Sequence, residues 1–84
     1  MNARHRKTLE AISTEPTAAN ISWARIEALF KAIGCIVIEG RGSRVRFAYG
    51  QRVITFHRPH PSKEAKPYQV EDTRIFLKSI GILP

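Results

Sequence analysis

Two short runs, Arg44–Tyr49 and Arg52–His57, flank the pair Gly50-Gln51, and no other part of the chain restricts the fold as tightly. In the first run Val45, Phe47 and Tyr49 alternate with Arg44, Arg46 and Ala48. In the second, Ile54 and Phe56 alternate with Val53, Thr55 and His57. Apolar residues at every second position mark strands that lay one face on a core. Glycine at the first of two turn residues suits a type II′ turn, whose twist matches the strands it joins. With Gly50 and Gln51 as the turn, Tyr49 pairs with Arg52, Ala48 with Val53, Arg46 with Thr55 and Arg44 with His57. Val45, Phe47, Tyr49, Ile54 and Phe56 then point to one side, with the stem of Arg52 at their rim. Arg44, Arg46, Thr55 and His57 point to the other. A slip of one residue would send the apolar set to water, so the alternation itself selects this register.

Helices are expected on both sides of the hairpin. Ser22 is a good N-cap, whose oxygen can accept from a free amide of the first turn. Ile21 and Ile26 are spaced for a hydrophobic staple. Trp23, Ile26, Leu29, Phe30 and Ile33 recur at helical spacing and define a buried face, and Gly34 follows as the C-cap residue. Cys35–Glu39 is a short β-branched run, a third strand in which Ile36, Val37 and Ile38 suit either face. Gly40-Arg41-Gly42 is the loop after it. Pro59 and Pro61 end the last strand, and Arg58–Pro67 reads as an extended loop. A closing helix is expected from about Val70 to Ile80. Glu71 and Asp72 would sit in its first turn and Lys78 in its last, each favoured by the helix dipole. Its inner face would be Val70, Thr73, Phe76, Leu77 and Ile80. Upstream, Arg4–Ser13 suits a short helix through Leu9 and Ile12, ended at Glu15-Pro16-Thr17.

The fold class is therefore α+β, a three-stranded antiparallel sheet with two helices on one face and a short N-terminal helical segment. Eighty-four residues suffice for one domain, 1–84, with 1–19 as an extension and 20–82 as the core unit. Two helices cover one face of such a sheet. The other face meets water or a partner.

Charge suggests the partner. Between Gly40 and Lys63 the chain carries Arg41, Arg44, Arg46, Arg52, Arg58 and Lys63 and no acid. The formal charge is +7 and the sequence pI about 10.4. Such a field attracts polyanions, nucleic acid foremost, with an acidic protein or anionic membrane as alternatives. A hydrophobic fraction of 43% is ordinary for a folded chain, so the excess charge does not imply disorder. No apolar run approaches the roughly 20 residues of a membrane span, and no secretory signal opens the chain. Cys35 is the only cysteine, which excludes an internal disulfide and fits a buried thiol in a reducing cytoplasm.

The cluster at Arg44, Arg46 and His57 has the elements of metal-free RNA cleavage. RNA carries its own nucleophile, the 2′-hydroxyl. The reaction needs a base for the 2′ proton, an acid for the leaving oxygen, and positive charge for the developing phosphorane. Histidine suits the first two tasks and arginine the third. His57 and His60 are the catalytic candidates. Arg41, Gly42, Ser43, Arg44, Arg46, Arg58 and Lys63 are the candidate RNA contacts, with the Gly40-Arg41-Gly42 backbone able to offer amides to a phosphate. The same surface suits RNA binding without chemistry. His57-Arg58-Pro59-His60 resembles a two-ligand metal fragment, but no cysteine or carboxylate in the stretch completes a site, so no metal or other cofactor is expected. Trp23 and Phe47 are expected in the core, His5 in solvent, and Tyr68 in either.

One further pattern joins these elements. A helix ending in glycine is followed by a short apolar strand. Gly42-Ser43 opens a second strand with Phe47 four residues on, and a closing helix ends in Gly81-Ile82. From about Ser22 to Ile82 this resembles the HicA toxins. The resemblance implies a fold like a double-stranded-RNA-binding domain, an mRNA-cleaving toxin in the cytoplasm, and a cognate HicB antitoxin that holds it inactive. It also implies a catalytic histidine directly after the Gly-Ser pair, and here that position is Arg44. His57, opposite Arg44 in the expected register, would place an imidazole in nearly the same space. A histidine lost at position 44 without replacement is the alternative.

Overall fold

The computed structural model describes residues 1–84. Its elements run α1 (Ala3–Ser13), α2 (Trp23–Ala32), β1 (Ile36–Glu39), β2 (Arg44–Tyr49), β3 (Arg52–His57) and α3 (Pro67–Ser79). The strands form one antiparallel sheet in the order β1-β2-β3. The hairpin pairs Arg44 with His57, Arg46 with Thr55, Ala48 with Val53 and Tyr49 with Arg52, as the turn predicts. Gly50 has φ +60° and no non-glycine residue has positive φ, which fits the II′ form. On the other side of β2, Ile38 pairs with Arg46 and Ile36 with Ala48. Ile36 and Ile38 therefore share the open face with the arginines, and Val37 turns inward.

The inner face is closed by α2 and α3. Phe30 of α2 stacks on Phe47 at 4.3 Å between ring centroids and meets Phe76 of α3 edge-on at 5.9 Å. Trp23 packs edge-on against Phe56 at 5.1 Å. Trp23 and Phe47 are thus core residues, and Cys35 is buried as expected, with burial pushing its thiol pKa up. α2 ends in a Schellman arrangement: Gly34 N–H reaches Lys31 O, Cys35 N–H reaches Phe30 O, and Gly34 has φ +99°.

Several local expectations are corrected. Ser22 makes no side-chain cap bond. Its backbone instead bridges Glu64, with Trp23 N–H on Lys63 O at 2.9 Å and Ala65 N–H on Ile21 O at 2.8 Å. The loop after β3 is thereby clamped to the start of α2. The closing helix begins at Pro67, three residues before the expected Val70, because proline is well suited to the first helical position. Glu71 and Asp72 then lie beyond its first turn, and the dipole argument for them falls. The N-terminal helix is firmly packed. Ile12 and Thr8 are fully buried, and Arg74 of α3 holds the end of α1 by donating to Ile12 O at 2.7 Å and Thr14 O at 3.2 Å. His5 is half-buried, not solvated, and its Nδ1 is shielded without a partner.

A candidate nucleic-acid interface on the open sheet face

Strand alternation places Arg44, Arg46, Thr55 and His57 together on the open side of the sheet, all exposed. His57 stands directly across from Arg44. Ser43 Oγ lies 3.4 Å from His57 Nδ1, a long contact that ties the loop after β1 to the imidazole. That loop turns at Gly42, with φ +57°, and is closed by Arg44 N–H on Arg41 O and Gly40 N–H on Arg44 O. Arg41, Gly42 and Ser43 are exposed at its tip. The Arg44 side chain lies over Gly40, where an added Cβ would meet it at 3.1–3.2 Å. Glycine at position 40 thus lets the arginine lie close against the sheet.

His57 is held from behind by a residue the sequence reading missed. Gln69 is fully buried, and its Nε2 donates to His57 O at 2.8 Å while its Oε1 accepts from Lys66 N–H at 2.9 Å. One amide joins the end of β3 to the start of α3. The available signal was glutamine two residues after Pro67, at the third helical position, a capping-box placement.

Arg58 is elsewhere. Its N–H bonds Ser43 O at 2.9 Å, so the ladder runs one residue past His57 and its side chain turns to the helical side. There its guanidinium makes four bonds. Nε and Nη2 reach the Glu27 carboxylate at 2.7 and 3.1 Å, and Nη1 and Nη2 reach Glu39 at 2.7 and 2.9 Å. Trp23 Nε1–H also donates to Glu27. The Arg58 hydrogen bonds hold both carboxyls below the usual range, against desolvation, and in turn raise the Arg58 pKa. Lys63 is exposed beside Arg58 and Pro59 on the same side, away from His57. His60 is exposed, and no hydrogen bond joins it to His57. The predicted site residues therefore divide. Arg41, Gly42, Ser43, Arg44, Arg46 and His57 converge; Arg58 and Lys63 do not.

The converging set is flat. None of the concavities in the surface includes His57, and no three His, Cys, Asp or Glu side chains gather to hold a metal ion. A flat basic sheet face with an imidazole at its edge suits an extended polyanion. The fold is a small α+β domain with one basic sheet face left uncovered. The family model described as the HicA toxin of bacterial toxin–antitoxin systems matches residues 23–82. The chain belongs to this family, whose members work beside a cognate antitoxin. No curated protein and no solved structure matches it. No helix is long and apolar enough to cross a membrane.

Proposed function

We propose that this HicA-family chain is a metal-independent endoribonuclease that cleaves mRNA in the cytoplasm, with His57 as the proton-transfer group. The observation that carries the reading is the pairing of His57 with Arg44 on an uncovered basic face. Family resemblance puts the catalytic imidazole at position 44, and the register puts the imidazole of His57 directly across from it. Opposed residues have Cβ atoms about 4.5–5.5 Å apart, so a histidine on β3 reaches nearly the same substrate atoms.

In this mechanism Arg44 and Arg46 bind the non-bridging oxygens of the scissile phosphate, supported by the Arg41–Ser43 loop. His57 takes the 2′-hydroxyl proton as the oxygen attacks phosphorus. The arginines stabilise the charge of the phosphorane. The bond to the 5′ oxygen then breaks and that oxygen takes a proton, for which His60 is the available second imidazole. The products are a 2′,3′-cyclic phosphate and a free 5′-hydroxyl. A HicB-like antitoxin would inhibit by covering the same face, which blocks RNA and neutralises charge together. Ile36 and Val53 add exposed apolar area there, 68% and 52% accessible, for a protein partner to bury.

The flat surface and the arginine at position 44 favour one other reading, an RNA-binding module without chemistry. Chelator-resistant cleavage of single-stranded RNA by purified protein separates the two. His57→Ala is expected to lose about 10²–10⁴-fold in cleavage rate, the usual contribution of a proton-transfer group. RNA binding should persist. Undiminished cleavage by the variant, in a preparation free of contaminating ribonuclease, overturns the role of His57.

A further inference from the structure

The helix α1 lies outside the stretch matched by the family model, yet it forms one wall of a cleft lined by Ala3, Arg4, Lys7 and Arg25. Arg4 and Lys7 are three residues apart and share a face of α1. Arg25 faces them from the first turn of α2. Its guanidinium is held in place: Nε donates to Thr8 Oγ1 at 3.2 Å, and the fully buried Thr8 hydroxyl donates to Arg4 O at 3.1 Å. The terminal nitrogens of Arg25 make no hydrogen bond within the protein. The other half-buried arginines have partners, Arg58 two carboxylates and Arg74 the Glu15 carboxylate with the carbonyls of Ile12 and Thr14. No ion pair engages Arg4, Lys7 or Arg25, and no acid lines the cleft.

We propose that this cleft is a second anion site, which holds a backbone phosphate of bound RNA on the helical side of the molecule, away from His57. The proposal rests on RNA being the ligand of the sheet face. A guanidinium with Nε anchored and its outer nitrogens free presents a planar fork to two phosphate oxygens. Lys7 and Arg4 add charge from the facing wall. The cleft holds about 380 Å³, room for a phosphate with part of its water. Three cations converging on one concavity suit a compact anion better than the spread carboxylates of an acidic protein surface. The site would act on affinity for longer RNA, and it would leave the chemistry at His57 unchanged.

Inorganic phosphate tests the cleft without RNA. In ¹⁵N-labelled protein, titration should shift the Nε–H signal of Arg25 and the α1 amides in a saturable way. Arg25→Gln should abolish the α1 response, and Arg25→Lys, which keeps the charge without the fork, should weaken it. No shift, or only a shift equal to that of the exposed Arg52, which belongs to neither site, overturns the site. RNA supplies the second arm. With an RNA of roughly 30 nucleotides, longer than the about 4–16 a small domain spans, Lys7→Gln with Arg25→Gln should lower the log–log salt slope by about 0.7, the share of one phosphate on a single strand. Cleavage of a tetranucleotide should not change. An unaltered slope, or tighter binding of polyglutamate than of RNA at the cleft, overturns the assignment to RNA. Failure of the wild-type protein to bind any RNA would defeat the proposed function instead, with the phosphate titration still deciding whether the anion site exists. Thermal melts of each variant confirm that folded protein is compared.

Discussion

His57 and Arg58 are neighbours in sequence and opposites in use. His57 stands on the open face beside two arginines that have no partner in the protein. Arg58, one residue on, faces the helices with four of its donors on Glu27 and Glu39. Both come from the same acid-free stretch, so the sequence presents them as one basic cluster. Strand alternation separates them. Arg58 belongs to the frame that holds the last strand against α2, and only part of the apparent charge is left for a ligand.

The largest expected effect breaks this pair apart. His57→Ala should lose cleavage by about 10²–10⁴-fold with an unchanged melting temperature. Arg58→Ala should do the reverse at the level of stability. It leaves the Glu27 carboxylate half-buried with only Trp23 as a donor, at a cost of roughly 1–3 kcal/mol, below the range for a fully buried pair. In a domain of this size each kcal/mol lowers the melting temperature by about 4–8 °C. If Arg58→Ala melts like the wild type but binds RNA poorly, Arg58 belongs to the interface after all.

Reversing the free arginines sharpens the comparison further. Arg44→Glu with Arg46→Glu should remove RNA binding at physiological salt while the thermal melt stays in place, because both side chains are exposed and unpaired. Single neutral replacements should each lower the salt slope by about 0.7. A change in melting without a change in binding would place them on the structural side.

Acid offers a smaller, graded test of the frame. The folded pKa of Glu27 lies below the ordinary value of 4.5, chiefly through the Arg58 hydrogen bonds. A depressed carboxyl contributes stability that is present above its unfolded pKa and lost as pH falls through the folded one. Unfolding midpoints measured from pH 6 downward should therefore fall more steeply below pH 4.5 for wild type than for Glu27→Gln. Parallel curves would mean that the Glu27–Arg58 pair contributes nothing net. The smallest effect is expected for Gly40→Ala. Its Cβ would press on the Arg44 stem, which is flexible, so RNA affinity should fall a little and stability hardly at all.

The hairpin was legible because the evidence for it is local. Alternation and a two-residue turn specify the pairing, and the pairing specifies which side chains share a face. The N-terminus of α3 was harder to place. In sequence Pro67 suits the end of a loop as well as the first turn of a helix, and only the fold makes it the first residue of α3 and sets Gln69 behind His57. Ser22 has the right chemistry for a cap, yet a backbone bridge to Glu64 fixes the start of α2. Thr8 and Arg25 carried no pattern, because their contact joins two helices whose packing no short motif encodes.

The sequence alone determined the α+β class, the register of the hairpin and the face that carries Arg44, Arg46 and His57. These follow from period-two alternation and turn geometry, which act between near neighbours. The tertiary structure decided which charges remain free. Arg58 meets Glu27 across 31 residues and Glu39 across 19, while Arg25 is anchored by a threonine 17 residues away and meets no acid. A charge is free or spent according to what the fold brings within about 3 Å of it, the range of a hydrogen bond. Distance along the chain does not measure that.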